Sequence, residues 1–218
     1  MDAFRVSVIC GLCGVASEQW TAESPRPKEP PDFDTRPGEP LRSTLPVWVQ
    51  RCPHCGYCAD SIASIHDNAV DFVRGDAYRE QWKEEGFPEK TREFLCYSAI
   101  LSHVGQYADA GWSSLHGAWA ADDAGDESSA MHCRERAIGH WQRGKKEGQS
   151  FGDDLAMEYS LVTDLYRRAC LFEAAVVTCS EALDMEDLPP LLEQMLRREK
   201  ALIDRKDRSA HSIRELLQ

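Results

Sequence analysis

The sequence predicts a mainly α-helical protein that begins with a small β-rich head, and three observations support this fold class. Two Cys-x-x-Cys-Gly segments, at residues 10–14 and 52–56, each follow a stretch rich in strand-forming residues. Beyond residue 60 the apolar residues recur at the spacing of one helix face. After residue 104 no segment shows the pattern of a strand, so we expect the rest of the chain to be helical.

The head is predicted over residues 1–60 and resembles a zinc ribbon in its order of elements. Phe4–Ile9 and Leu45–Val49 lead into the two Cys-x-x-Cys segments, so we expect a strand before each segment. Six prolines between Pro25 and Pro40 exclude a regular helix from the intervening stretch. We expect a solvated loop there, and the alternative is an arm that packs across the helical part or a partner.

The two Cys-x-x-Cys segments, called hooks from here on, predict a metal site. Two intervening residues let both sulfurs of a hook reach one ion, and the following glycine permits the positive-φ turn that brings backbone N–H groups near the sulfurs. Two hooks together supply four thiolates, the ligand set of a structural Zn²⁺ site. The predicted ligands are Cys10, Cys13, Cys52 and Cys55. Unrelated reduced thiols and a redox-active dithiol are the alternatives.

The helical part is predicted over residues 61–218 and starts with three helices. The first is expected between an N-cap at Asp60 or Ser61 and a stop at Gly75, from apolar residues at helical spacing: Ile62, Ile65, Ala69, Phe72 and Val73. A short helix containing Tyr78 and Trp82 follows, and a third helix is expected over Glu89–Val104.

Two later segments share the pattern of a tetratricopeptide helix pair, with large residues on one helix and small residues seven apart on the next. The pattern comprises Trp112, Leu115, Trp119, Ala130 and Ala137 in the first segment, and Tyr159, Val162, Tyr166, Ala175 and Ala182 in the second. We predict repeat units at about 109–142 and 156–189. A capping helix is expected at about 190–206, because a last repeat needs a polar outer face.

The chain resembles a known family in four stretches that together extend over nearly its whole length: Trp48–Tyr57, Ala110–Trp119, Tyr166–Ala175 and Pro190–Met195. In this order they resemble a bacterial family of uncharacterised proteins that pairs a zinc-ribbon-like head, with two Cys-x-x-Cys hooks, with a tetratricopeptide-like helical body. The resemblance implies the same four cysteine ligands. The chain departs from the family at Cys58, where a small residue is usual, and Cys58 could therefore replace Cys55 as a ligand. The family has no established reaction, so the resemblance implies architecture rather than chemistry.

Composition excludes several classes of function. The net charge is −12 and no basic patch is visible, so nucleic acid is not an expected partner. No apolar run approaches the ~18 residues of a membrane span. The N-terminus lacks the pattern of a signal peptide, so we expect a cytoplasmic protein whose nine cysteines bind metal or stay reduced.

No catalytic motif is present in the sequence, so we predict a non-enzymatic adaptor whose helical groove binds a protein or peptide partner. The candidate groove residues are His116, His132, Arg167 and Arg168. One alternative is a thiol-based sensor in which oxidation of Cys55 or Cys58 releases zinc. The other is a nucleic-acid-associated zinc ribbon.

Overall fold

The computed structural model describes residues 3–66, 68–83 and 86–217. Helices dominate these residues and antiparallel hairpins form the N-terminal part, which confirms the predicted fold class. The chain separates into two compact units, Met1–Arg26 with Ser43–Gln149 (unit 1) and Pro27–Arg42 with Ser150–Gln218 (unit 2). The predicted division of the chain at residue 60 stays a prediction. Within the described ranges, every helix is too short or too polar to cross a membrane.

Each hook connects the two strands of an antiparallel hairpin in unit 1. Strand β1 (Ala3–Ile9) pairs with β2 (Ala16–Ala22) on either side of the first hook. Strand β3 (Gln50–Arg51) pairs with β4 (Cys58–Ala59) around the second. The sequence predicted β1 but not β2, because β2 is largely polar and buries only Gln19.

The strand predicted at Leu45–Val49 is wrong, because Arg42–Val47 forms a 3₁₀ helix. Pro46 has no N–H to donate to a strand ladder, and its fixed φ suits a tight helical turn. The indole N–H of Trp48 donates to Thr44 Oγ1 at 2.7 Å and fixes the end of this turn. Leu45 and Val49, two of the apolar residues that suggested a strand, are buried, but the backbone around them forms a helical turn instead of a strand.

The first predicted helix is wrong at its start but right at its end. Helix α1 spans Ala69–Arg74, with Gly75 as its C-cap. Ile62 lies before the helix and is fully buried. Its carbonyl accepts a hydrogen bond from the Gly11 N–H at 2.7 Å, and its own N–H donates to Gln50 Oε1 at 3.1 Å. Because these backbone groups are bonded to the hairpins, they are not available for a helix.

Four longer helices complete unit 1 among the described residues, and they agree with the predictions. They are α2 (Asp76–Lys83), α3 (Glu89–His103), α4 (Tyr107–Asp123) and α5 (Glu127–Lys146). Helix α4 packs against both α3 and α5. At the α4–α5 contact Gly111 lies directly against the indole of Trp141, which leaves no room for a side chain.

Unit 2 contains α6 (Leu155–Arg168), α7 (Phe172–Leu183), α8 (Pro190–Asp204) and a 3₁₀ helix at Ile213–Leu216. Its core joins α7 to α8 through Ala175, Cys179, Ala182, Leu196 and Ile203. The helices of the second predicted repeat and the capping helix are therefore present. Their assembly into tetratricopeptide repeats stays a prediction.

The proline-rich segment is not a solvated loop over its second half, so that expectation is wrong. Residues Pro27–Arg42 belong to unit 2, where Phe33 is 1% exposed and packs with Met195 and Leu202 of α8. Asp34 is also buried and accepts a hydrogen bond from Arg168 at 2.7 Å. The prolines exclude a helix from the segment, which instead folds back on itself, with the Lys28 N–H donating to the Glu39 carbonyl at 2.8 Å. The residues between the prolines form the contacts. The segment is the packed arm that the sequence left as the alternative.

Candidate metal centre

The sulfur atoms of Cys10, Cys13, Cys52 and Cys55 all lie within 4.8 Å of one another. The Cys10–Cys55 and Cys13–Cys52 Sγ–Sγ distances are both 3.7 Å. Each of these distances joins one hook to the other, so the two hairpins share a single site. Within the described ranges this is the one group of His, Cys, Asp or Glu side chains close enough to hold a metal ion.

The spacing of the sulfurs fits a tetrahedral metal ion. A tetrahedron whose corners lie about 2.3 Å from a central zinc has edges of about 3.8 Å. The 3.7 Å distances agree with that edge and are too long for a disulfide, in which the sulfurs are about 2.05 Å apart. Thiolate ligands select thiophilic metals such as zinc over magnesium or calcium. The four cysteines are therefore compatible with a metal site.

The two hooks form the same local turn, which explains how two segments far apart in sequence present matching ligands. The N–H of Gly14 donates to the Cys10 carbonyl at 2.8 Å, and the N–H of Gly56 donates to the Cys52 carbonyl at 2.9 Å. Both glycines have positive φ, +73° and +78°. The conformation expected of the glycine after each hook is confirmed, and it is one that L side chains rarely adopt.

Backbone hydrogen bonds partly offset the burial of the thiols. Burial raises the pKa of the Cys10 thiol, although the backbone N–H groups of Cys13 and Leu12 act in the opposite direction. Burial also acts on Cys52, but it is outweighed by hydrogen bonds from the Cys55 and His54 backbone together with those to the Cys55 and Cys13 thiols, so the pKa of Cys52 is lowered. Such N–H groups stabilise thiolate, the form that binds metal.

Two tyrosines hold the second hook in place from neighbouring segments. The Tyr78 hydroxyl, from α2, donates to the Gly56 carbonyl at 2.8 Å. The Tyr57 hydroxyl donates to the Ser64 carbonyl at 3.0 Å, and the Tyr57 side chain is fully buried. The hook is therefore supported by side chains of unit 1 as well as by its own hairpin.

Cys58 does not belong to the sulfur cluster formed by the described residues. It is fully buried in β4, where its thiol contacts Cys96 of α3 and the Tyr78 hydroxyl. Burial raises the pKa of the Cys58 thiol well above its usual range. The structure thus places Cys58 where the hairpin meets the helices.

The predicted groove residues have different surroundings. In unit 1, His116 is enclosed by aromatic rings, with centroid distances of 4.9 Å to Trp119 and 5.1 Å to Trp48. His132 lies against Phe87, at a centroid distance of 5.2 Å. The two histidines therefore have no aromatic neighbour in common among these contacts.

Arg167 and Arg168, in unit 2, are 0% and 7% exposed. Arg167 donates to Glu199 and Asp164, each at 2.6 Å, while Arg168 donates to Asp34. A side chain that selects a partner must be accessible, so both arginines have a structural role in this fold and are not retained as groove residues.

The aromatic surroundings of His116 were missed by sequence reasoning, because Trp48 and Phe94 come from segments far from α4 in the chain. The Trp112-x-x-x-His116-x-x-Trp119 spacing on one helix was the local signal of this cluster.

A scan against protein-family models and searches of the curated proteins and the solved structures found no match. The resemblance carried by the sequence stretches therefore stays a prediction.

Proposed function

We propose that Cys10, Cys13, Cys52 and Cys55 hold one structural Zn²⁺ that joins the two hairpins, in a non-enzymatic adaptor that binds a protein or peptide partner. The observation that carries the zinc site is the 3.7 Å spacing of the sulfurs across the two hooks. This spacing matches the edge of a four-sulfur tetrahedron around zinc.

Zinc in this ligand set would supply folding free energy. Four thiolates fill a tetrahedral shell and leave no position for a reactive water, so the ion would not act as a Lewis acid at this site. The second hairpin needs such support, because β3 and β4 have only two residues each and isolated hairpins are marginally stable in water.

The adaptor part of the proposal is supported by apolar surface on unit 2. Val176 and Val177 of α7 are 49% and 56% exposed, and Leu171 lies just before the helix at 38%. These three exposed apolar side chains lie close together in the sequence, and we propose that a protein partner covers them.

This surface can be tested by cross-linked capture from a lysate. We expect a protein captured by the wild type to be lost with Val176→Ser/Val177→Ser and kept with Leu155→Ser, which alters an equally exposed residue of the same unit. Identical capture by all three proteins contradicts the adaptor surface.

The zinc site is tested by metal content per chain, measured by mass spectrometry on protein purified without added metal. We expect about one zinc per chain in the wild type and its loss in Cys13→Ser and Cys52→Ser, together with a lower melting temperature. The matched control is Cys58→Ser, which changes a buried cysteine next to the second hook but outside the sulfur cluster.

Each outcome of that measurement decides between the proposals. Zinc retained in Cys58→Ser and lost in the hook variants supports the four-cysteine site. Zinc lost from Cys58→Ser would make Cys58 a ligand. A folded wild-type protein without metal, with rapidly alkylated hook thiols, would overturn the zinc site and favour a thiol-based sensor.

A further inference from the structure

Unit 1 contains a cavity of about 410 Å³ that is lined by aromatic side chains. Volumes of roughly 300–1,000 Å³ are typical of small-molecule sites. His116 lines it and lies among the rings, with ring-centroid distances of 5.1 Å to Trp48, 5.7 Å to Phe94 and 6.3 Å to Trp112. The Trp48 indole is fixed by its hydrogen bond to Thr44, so this wall of the cavity is preorganised.

Two carboxylates lie on the same cavity. Asp60 and Asp109 line it together with Tyr97. Burial raises the pKa of the Tyr97 phenol, and the negative charges of both carboxylates add to that effect. The backbone N–H of Asp60 also donates to the Tyr97 hydroxyl. The side chains of Asp60 and Asp109 are exposed, so they lie towards solvent while the rings form the interior.

The charges around the cavity are not balanced by cations from the protein. No lysine or arginine lines it, and neither carboxylate forms an ion pair with any residue in the part of the chain that the structure describes. Burial lowers the pKa of His116 to about 4, so its imidazole is neutral at pH 7. The net charge of −12 adds an attraction for cations over the whole protein.

We propose that this cavity binds an organic ammonium group, with the cation against the faces of Trp48, Trp112 and Tyr97 and between the carboxylates of Asp60 and Asp109. Aromatic faces attract cations within about 6 Å, and clusters of such faces recognise quaternary ammonium ions. The carboxylates at the opening would draw in the cation, and the rings would exclude water around it. The inference goes beyond the proposed function, because it uses a different set of residues from the metal site.

Choline is the first probe, compared with 3,3-dimethylbutan-1-ol, which has the same shape with a neutral carbon in place of the nitrogen. Binding is followed on the full chain as purified by tryptophan fluorescence and by saturation-transfer NMR. A second probe, Nα-acetyl-trimethyllysine amide, distinguishes an ammonium on a protein side chain from one on a free small molecule. We expect at least one of the two cations to bind at least about tenfold more tightly than the neutral alcohol.

Two kinds of variant assign the binding to the cavity. Asp60→Asn/Asp109→Asn should weaken the binding of the cation at least about tenfold, while Asp71→Asn, an exposed aspartate of α1 that does not line the cavity, should not. Trp112→Leu should weaken binding, and Trp112→Phe should retain most of it because an aromatic face remains.

Circular dichroism confirms that each variant is folded before binding is measured. Three results would overturn the proposal: no binding of either cation at 10 mM, binding of neither cation more tightly than the neutral alcohol, or unchanged binding of the cation in the Asp60→Asn/Asp109→Asn variant. Zinc content is measured separately, so a failed zinc site and a failed ammonium site give different results.

Discussion

Glu199 provides a pH-dependent test of how unit 2 is held together. Its carboxylate shares the fully buried Arg167 guanidinium with Asp164, and all three side chains are at most 2% exposed. Two carboxylates on one guanidinium leave a surplus negative charge in the interior. Burial, with the neighbouring Asp164, raises the pKa of Glu199 from its ordinary 4.5 to about 8.

This pKa fixes the sign of the pH dependence. The folded state favours the protonated carboxyl, so the contribution of Glu199 to stability is fully present below pH 4.5 and is lost as the pH rises through 8. The separation of the two pKa values corresponds to roughly 5 kcal/mol in the free energy of unfolding, because each pKa unit is worth about 1.4 kcal/mol. Protonation would also give Asp164 Oδ2 a donor, since this buried oxygen has no hydrogen-bond partner among the described residues.

Glu199→Gln mimics the protonated carboxyl at every pH. We expect the variant to match the wild type within about 1 kcal/mol at pH 5 and to exceed its free energy of unfolding by several kcal/mol at pH 9. Urea unfolding followed by circular dichroism at pH 5, 7 and 9 measures the difference. Glu193→Gln on the same helix removes a partly exposed ion pair with Arg197 and should change stability by less than about 1 kcal/mol at each pH. A difference between Glu199→Gln and wild type that does not grow with pH would refute the reasoning.

Two further predictions concern packing in each unit. Gly111→Ala should be clearly destabilising, because the added methyl would overlap the Trp141 indole. The control Gly139→Ala, in α5 with open space around it, should stabilise the protein by up to about 1 kcal/mol. Equal melting temperatures of the two variants would contradict the close α4–α5 contact. Phe33→Ala should lower the free energy of unfolding by about 3–5 kcal/mol, because the Phe33 ring is buried against α8. The control Phe4→Ala changes a half-exposed residue and should cost less than about 1 kcal/mol. Similar losses for both variants in urea unfolding would show that the arm does not pack on α8.

The four-cysteine cluster and most of the helices were predictable from the sequence, because the turns and helices that form them are encoded locally. A Cys-x-x-Cys-Gly segment specifies its own turn, and the glycines after both hooks adopt the positive φ expected of them. Helices such as α3 and α8 carry their apolar residues at helical spacing and were predicted to within one or two residues.

The failures arose where tertiary contacts override local pattern. Leu45–Val49 has strand-forming residues, but Pro46 and the Trp48 hydrogen bond favour a helical turn. Phe33 and Asp34 lie in a proline-rich stretch with no periodic pattern of apolar residues. Their burial could not be predicted, because their partners lie more than 130 residues away in the chain.

The burial of Arg167 and Arg168 could not be predicted from the sequence for a related reason. Arginine is usually exposed, and nothing near Arg167 in the sequence shows that Glu199 of another helix will enclose it. The aromatic cavity was missed in the same way, since its walls come together only in the folded chain.

The packed arm limits which truncated forms of this protein can fold. A fragment starting at residue 61 contains every helix of unit 2, yet it lacks the arm residues Pro27–Arg42. Without the arm, Met195 and Leu202 would lose their contact with the buried Phe33 ring, and Arg168 would lose the buried carboxylate of Asp34. A deletion of the proline-rich stretch, although it resembles a dispensable linker, would do the same damage. Truncated variants should therefore keep the segment between the two hooks together with the C-terminal helices.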